Sequence, residues 1–298
     1  MAITADLVKK LREQTGIGMM DCKKALTETD GDFEKAVALL REKGLKVAAK
    51  RESKSASEGL IGCCVSEDGK TGALVEANCE TSFVAKADDF VAMAKTLAKQ
   101  AVDEDIACKD CLLSKPYAGN TSVTVEDYVK ELMGKIGEKL AVTRVGKLSV
   151  SGAGCVGSYT HMGDQIAVLV ALGCESDDAA KTDAVKNLAK DIAMHISWST
   201  PQYLTRDEIP AEVYEAEKTV QVNKALAEGK PANIVEKMVE GRMVKEFFAR
   251  VCLGDQSFIK DESMTIDKLI KSVSKEVGEK IAVQSYIRFQ VGETSGDK

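Results

Sequence analysis

Few residues in this 298-residue chain combine the types and spacings that covalent chemistry needs. Its two histidines, His161 and His195, stand in no motif that sets a base beside a nucleophile. Cys108-Lys109-Asp110-Cys111 is a lone Cys-x-x-Cys, without the second pair that completes a four-ligand zinc site. Cys63 and Cys64 are adjacent, so on a strand they point to opposite faces and chelate poorly. Gly16-Ile17-Gly18 follows a helix pattern instead of a strand and lacks the later glycine and lysine of a phosphate loop. The sequence thus supports no catalytic residue, no metal ligand and no cofactor. What it supports is docking. Met19 and Met20 are neighbours, so both cannot share one buried helical stripe. Gly16 and Gly18 allow a sharp turn that presents a flexible thioether to a partner.

Composition sets the class. The chain is 44% hydrophobic and 30% charged, with a net charge of -6, which fits a soluble globular protein and excludes broad binding to nucleic acid or anionic membrane. No apolar run approaches the roughly 20 residues of a membrane span, and the first residues lack the apolar core of a signal peptide and carry Asp6 and Glu13. These readings place the chain in the cytoplasm. Its 9 cysteines are odd in number and scattered, which fits reduced thiols better than a disulfide framework.

The elements that must position the docking residues follow from periodicity. Leu7 and Leu11, then Cys22, Ala25 and Leu26, then Phe33, Ala36, Val37 and Leu40 mark three short helices, with Asp30-Gly31-Asp32 as turn and cap and Gly44 placed to end the third. Residues 46–58 read as a linker or an exposed helical extension. Strands at 60–65 and 72–77 flank the turn Glu67-Asp68-Gly69-Lys70. A helix is expected over 83–101, with Phe90, Ala94, Leu97 and Ala101 on one face, and burial of Phe83 on that face is as consistent as exposure. A less regular insertion over 103–121 precedes a helix near 125–140.

The second half repeats this plan. Gly59 and Gly62 match Gly154 and Gly157, and ALVEANCET from Ala73 matches VLVALGCES from Val168, every pair 95 residues apart. GEKLAV from Gly137 returns as GEKIAV from Gly278. Internal duplication is the economical explanation. Helices over 209–226 and 234–251, separated by Glu228-Gly229-Lys230-Pro231, read as an inserted helical hairpin. A strand over 282–291 and a disordered polar tail over 292–298 close the chain.

Four blocks in this order, LREQTGIGMMDCKKAL from Leu11, NCETSFVAK from Asn78, GSYTHMGDQIAVLV from Gly157 and KMVEGRMVKEFF from Lys237 followed by SYIRFQVGE from Ser285, closely resemble the elongation factor Ts family over nearly the whole chain. The resemblance implies an α+β fold: an N-terminal three-helix UBA-like domain (1–54), duplicated α+β core subdomains (55–142 and 143–298), and a protruding coiled-coil hairpin inserted at about 207–251. It implies a guanine-nucleotide exchange factor in translation elongation, not an enzyme. The partner is elongation factor Tu, GDP-bound or nucleotide-free; no direct contact with nucleic acid or membrane is implied, and a dimer of the factor or a 2:2 complex stays open.

By the same resemblance, Thr81-Ser82-Phe83-Val84 intrude beside the partner's nucleotide site and dislodge Mg²⁺, with Phe83 the inserted ring. Ser82 stands where the family commonly has Asp, keeping cap ability without the charge, and compensation by nearby Glu80 stays open. Arg12, Met19 and Met20 match residues that dock on the partner's nucleotide-binding domain, and His161, at the tip of a hairpin, matches a loop that touches its third domain. A C-terminal helix seen in some relatives is expected to be absent or reduced after Gly292-Glu293. Two competing readings remain: a recruiting scaffold that uses the N-terminal helices without exchange activity, and thiol chemistry at Cys108 and Cys111.

Overall fold

The computed structural model describes residues 3–229 and 231–293. The fold is mixed α+β with small sheets, and the chain forms two compact units: Met1–Gly62 with Val75–Gly146 and Gln290–Lys298, and Cys63–Leu74 with Lys147–Phe289.

The first unit opens with helices α1 (Ala5–Thr15), α2 (Met19–Glu28) and α3 (Phe33–Arg51). Two of the three starts have a side-chain cap. Thr4 accepts the Leu7 N–H to cap α1, and Asp32 accepts the Lys35 N–H to cap α3. Gly16, at φ 65°, ends α1 in the left-handed conformation that glycine adopts without steric cost. Val8, Leu11, Cys22, Ala25, Leu26, Ala36 and Leu40 form their shared core. α3 does not stop at Gly44. It runs to Arg51 because this glycine serves a close crossing: a Cβ built on Gly134 lies 2.5 Å from the Gly44 Cα.

Strands β1 (Glu58–Val65) and β2 (Thr71–Cys79) follow, then α4 (Ser82–Ala85), α5 (Asp88–Asp103), α6 (Lys109–Leu113), β3 (Pro116–Tyr117), β4 (Asn120–Thr124), α7 (Val125–Ile136) and β5 (Leu140–Ser149), with β2 central in the order β1-β2-β5. The single helix expected over 83–101 is two. The chain leaves the helical region at Ala87 (ψ 138°) and restarts with Asp88 and Asp89 in the first turn, where acidic side chains favour the helix dipole. Phe90, Met93, Ala94, Leu97 and Ala101 of α5 are fully buried. β2 carries a buried carboxylate, Glu76, paired with Arg144 Nε at 2.6 Å and accepting N–H groups from Asn78 and Gly292. Gly292 and Glu293 thus belong to a described turn, and the rest of the expected polar tail, 294–298, lies outside the described residues.

The second unit contains the hairpin β6 (Gly154–His161) and β7 (Ile166–Gly173), paired in antiparallel register from Gly154 with Gly173 to His161 with Ile166. Helices α8 (Asp177–Lys181) and α9 (Asp183–Ser199) follow. α10 (Ala211–Ala227) packs on α11 (Ala232–Arg242), which widens to a π-turn over Met243–Phe248 and ends in α12 (Ala249–Val251). Ala225, Val235, Val239, Met243, Phe247 and Phe248 give this helix pair a core of its own. Lys230, between the two helices, lies outside the described residues. The chain continues through β8 (Ser257–Phe258), β9 (Asp261–Thr265), α13 (Ile266–Val277) and β10 (Ala282–Gln290), and the sheet order is β10-β7-β6.

The duplication extends to hydrogen bonds. Pro116 pairs with Thr124 and Tyr117 with Asn120, as Ser257 pairs with Thr265 and Phe258 with Asp261. Thr124 caps α7 and Thr265 caps α13; Gly137 and Gly278 end them at φ 81° and 79°.

His195 is a core histidine, 2% exposed. Its Nδ1 accepts the Ile259 N–H at 3.3 Å, so its proton sits on Nε2, 3.0 Å from Gln256 Oε1. Burial pushes its pKa below the ordinary 6.5, against the opposing hydrogen bond to Gln256. The unfolded chain therefore binds this proton at a higher pH than the folded one, and stability falls as pH drops below 6.5, by up to about 1.4 kcal/mol per unit, until the folded-state pKa is reached. Urea titrations between about pH 5 and 7.5 should show this increment in the wild type and its loss in His195→Gln.

Candidate functional site

Phe83 is the most exposed large hydrophobic residue described, at 86%. Strand β2 delivers the chain to Thr81, which caps the four-residue α4 by accepting the Val84 N–H. Three successive residues before the ring are tied down. The Cys79 thiol donates to the Thr81 carbonyl at 3.2 Å. Glu80 receives Arg51 Nη1 at 3.0 and 3.2 Å and the Lys139 N–H at 2.7 Å. Thr81 donates its N–H and its hydroxyl to Glu138, at 3.1 and 2.9 Å. Burial, reinforced by the Glu138 charge, pushes the Cys79 thiol up to about 12, so it stays protonated as a donor.

The break at Ala87 explains why Phe83 is exposed while Phe90 is buried: the two do not share one helical face. The cap is Thr81, not Ser82; Ser82 is the first helical residue and is exposed. Glu80 does not stand in for the missing carboxylate at 82, because Arg51 and Lys139 occupy it.

Met19 and Met20 are 44% and 66% exposed at the start of α2, so core packing accounts for neither, and Arg12 is exposed on α1. The turn between the helices is stitched from inside. Thr15 Oγ1 donates to the Leu11 carbonyl and receives the Ile17 N–H, while buried Cys22 donates to the Ile17 carbonyl at 3.5 Å.

In the second unit His161 is exposed at the end of β6, its Nδ1 3.2 Å from the Tyr159 hydroxyl. Beyond it Met162, Gly163 and Asp164 all have positive φ, and Met162 is 64% exposed. Sequence reading passed over Met162 as it did Trp198, 76% exposed after the apolar face of α9. It also passed over Glu138, although the repeated Gly-Glu-Lys was a signal for it.

The cysteines depart from expectation at one place. Cys108 and Cys111 are joined as a disulfide, because a cap residue and the third residue of the turn lie on one side of it, with Cα atoms 5.3 Å apart. Elsewhere burial pushes thiols up, Cys63 to about 12 and Cys155 and Cys252 to about 11, which leaves them protonated and poor nucleophiles. Among the described residues no group of three or more His, Cys, Asp or Glu could hold a metal ion, and no helix is long and apolar enough to cross a membrane.

An exposed ring on a braced turn is a feature of recognition, and comparison with known proteins identifies the family. The family profile described as Elongation factor TS matches residues 80–293. Elongation factor Ts of Clostridium botulinum (strain ATCC 19397 / Type A) is 45% identical over 291 residues, covering 98% of this chain and 93% of the relative. That of Clostridium novyi (strain NT) is 46% identical over the same shares, and that of Clostridium kluyveri 45%. The chain belongs to the elongation factor Ts family. Membership carries the family's general role, nucleotide exchange on elongation factor Tu in translation, and the family member is not an enzyme.

Proposed function

We propose that the chain speeds GDP release from elongation factor Tu by docking on its nucleotide-binding domain through Arg12, Met19 and Met20 while Thr81, Ser82, Phe83 and Val84 disturb the Mg²⁺ and nucleotide site. The observation that carries this reading is Phe83 itself, held out at 86% exposure by a turn whose preceding residues are all fixed. A large apolar side chain kept in water by structure, instead of folding into a core, is a candidate binding hot spot.

The reading works by linkage. A factor that binds nucleotide-free elongation factor Tu more tightly than the GDP complex must weaken GDP by the same ratio. Phosphate and Mg²⁺ are held by oriented amides and oxygen ligands, so a small displacement by an inserted ring supplies that ratio. In this division 1–54 is the UBA-like docking domain, 55–142 carries the ring, and 143–298, with its helical hairpin, offers His161 and its exposed neighbour Met162 to the third domain.

The test is release of fluorescent GDP from elongation factor Tu, with and without this protein. Acceleration is expected. Its absence at saturating factor overturns the reading and favours a recruiting scaffold. Met19→Ala combined with Met20→Ala should raise the factor concentration for half-maximal exchange roughly tenfold, the scale expected for truncating exposed apolar anchors. It should leave the rate at saturation near wild type, since in this division of labour the thioethers dock and Phe83 acts on the nucleotide site.

A further inference from the structure

The turn that carries Phe83 is built twice in this chain, and only one copy carries an aromatic ring. Thr81 corresponds to Ser176, and Glu138 to Glu279, by the two repeat offsets of the sequence. In the first copy Thr81 gives its N–H and hydroxyl to the Glu138 carboxylate at 3.1 and 2.9 Å. In the second, Ser176 gives its N–H and hydroxyl to Glu279 at 3.0 and 2.7 Å. Each glutamate directly follows the left-handed glycine that ends a longer helix, Gly137 or Gly278. Each cap residue then accepts the N–H three residues on, from Val84 or Ala179. Where the first copy has Phe83, the second has Asp178.

A helix of four residues does not hold its own geometry, because nucleation fixes several dihedrals for one hydrogen bond. The direction of Phe83 is set instead by the anchoring of Thr81, two residues earlier. A carboxylate that accepts two donors from one residue is a charge-assisted, two-point grip, which fixes both backbone and side chain.

We propose that Glu138 is a positioning residue for nucleotide exchange: by gripping Thr81 it pre-orders the turn from which Phe83 projects, so that the ring meets the nucleotide site already aimed. The inference rests on the reading of Phe83 as the inserted ring. Glu138 touches neither partner nor nucleotide in this account; it removes the cost of ordering the turn at each encounter. The second copy of the grip, at Glu279, stabilises a turn with no ring and serves as an internal control.

The experiment compares Glu138→Ala, Glu138→Gln, Glu279→Ala and Phe83→Ala in the full chain. Amide hydrogen exchange of the free protein reports the two turns, and fluorescent GDP release from elongation factor Tu reports function. In Glu138→Ala the amides of Thr81 and Val84 should exchange at least about tenfold faster, and GDP release at saturating factor should slow by about tenfold, the scale of losing hydrogen bonds to a charged group. The half-saturating concentration should stay within about twofold, because docking rests on Arg12, Met19 and Met20. Glu138→Gln keeps an acceptor oxygen and should restore most of the rate. Glu279→Ala should loosen residues 176–180 and release GDP at the wild-type rate.

Unchanged protection of Thr81 and Val84 in Glu138→Ala overturns the grip. Wild-type release by Glu138→Ala, or equal slowing by Glu279→Ala, overturns its role in exchange. A slow Phe83→Ala beside a fast Glu138→Ala removes the positioning residue and keeps the ring; wild-type release by Phe83→Ala removes both.

Discussion

Phe83→Ala should slow GDP release from elongation factor Tu by about 30-fold at saturating factor while changing the half-saturating concentration by less than about threefold. The size follows from the cost of truncating a hot-spot aromatic, about 2 kcal/mol or more, at 1.4 kcal/mol per factor of ten. The split follows from where that cost falls. If the ring acts on the nucleotide site, its contacts are made as GDP leaves and are weaker in the docked ground state; their loss appears in the rate at saturation. Fold stability offers no competing explanation, since a side chain 86% exposed removes almost no packed area when truncated. Stopped-flow release over a range of factor concentrations separates the two parameters. A variant that weakens half-saturation 30-fold and leaves the plateau untouched would make Phe83 a docking residue like Met19 and Met20.

How far these residues were legible from sequence differs by cause. The α+β class and the repeat were visible because strand alternation, helical spacing and glycines recur at a fixed offset. The helix pattern over 83–101 was read as continuous because Phe83 and Phe90 are seven apart, and periodicity carries no mark of the backbone leaving the helical region at Ala87. That break puts Phe83 in water and Phe90 in the core. Gly44 was read as a stop because glycine often ends helices; its actual cause, a backbone 90 residues later in sequence, is invisible locally. Strand β5, with half-buried residues over half of its length, shows neither clean alternation nor a continuous apolar run. Glu138 was missed for a related reason: a polar residue whose task is to hold a neighbour's N–H looks, in one dimension, like any surface carboxylate. Only the repeated Gly-Glu-Lys hinted that this carboxylate has a counterpart, Glu279, with the same task.

Gly134→Ala should destabilise the protein by about 2 kcal/mol, whereas Gly44→Ala should be neutral or stabilising by up to about 1 kcal/mol, although the two glycines face each other. Both lie inside helices, where alanine is intrinsically better than glycine by about 1 kcal/mol, so a gain at both is the expectation from propensity alone. Geometry separates them. A Cβ on Gly134 would lie 2.5 Å from the Gly44 Cα and 2.8 Å from its carbonyl carbon and oxygen, all backbone atoms that cannot turn aside. A Cβ on Gly44 would meet the Gly134 Cα at 3.5 Å, an ordinary contact. Overpacking that forces two helices apart costs a few kcal/mol and exceeds the propensity gain. Thermal unfolding should show the asymmetry as a melting temperature lower by several degrees for Gly134→Ala and unchanged or higher for Gly44→Ala. The consequence reaches the ring. α3 ends in Arg51, whose guanidinium pairs with Glu80 beside Thr81, so lifting α3 from α7 also withdraws one of the groups that brace the Phe83 turn. Gly134→Ala should therefore slow GDP release as well, below its melting range, and Gly44→Ala should not; if both release GDP normally, the Arg51 pair contributes to stability without steadying the ring.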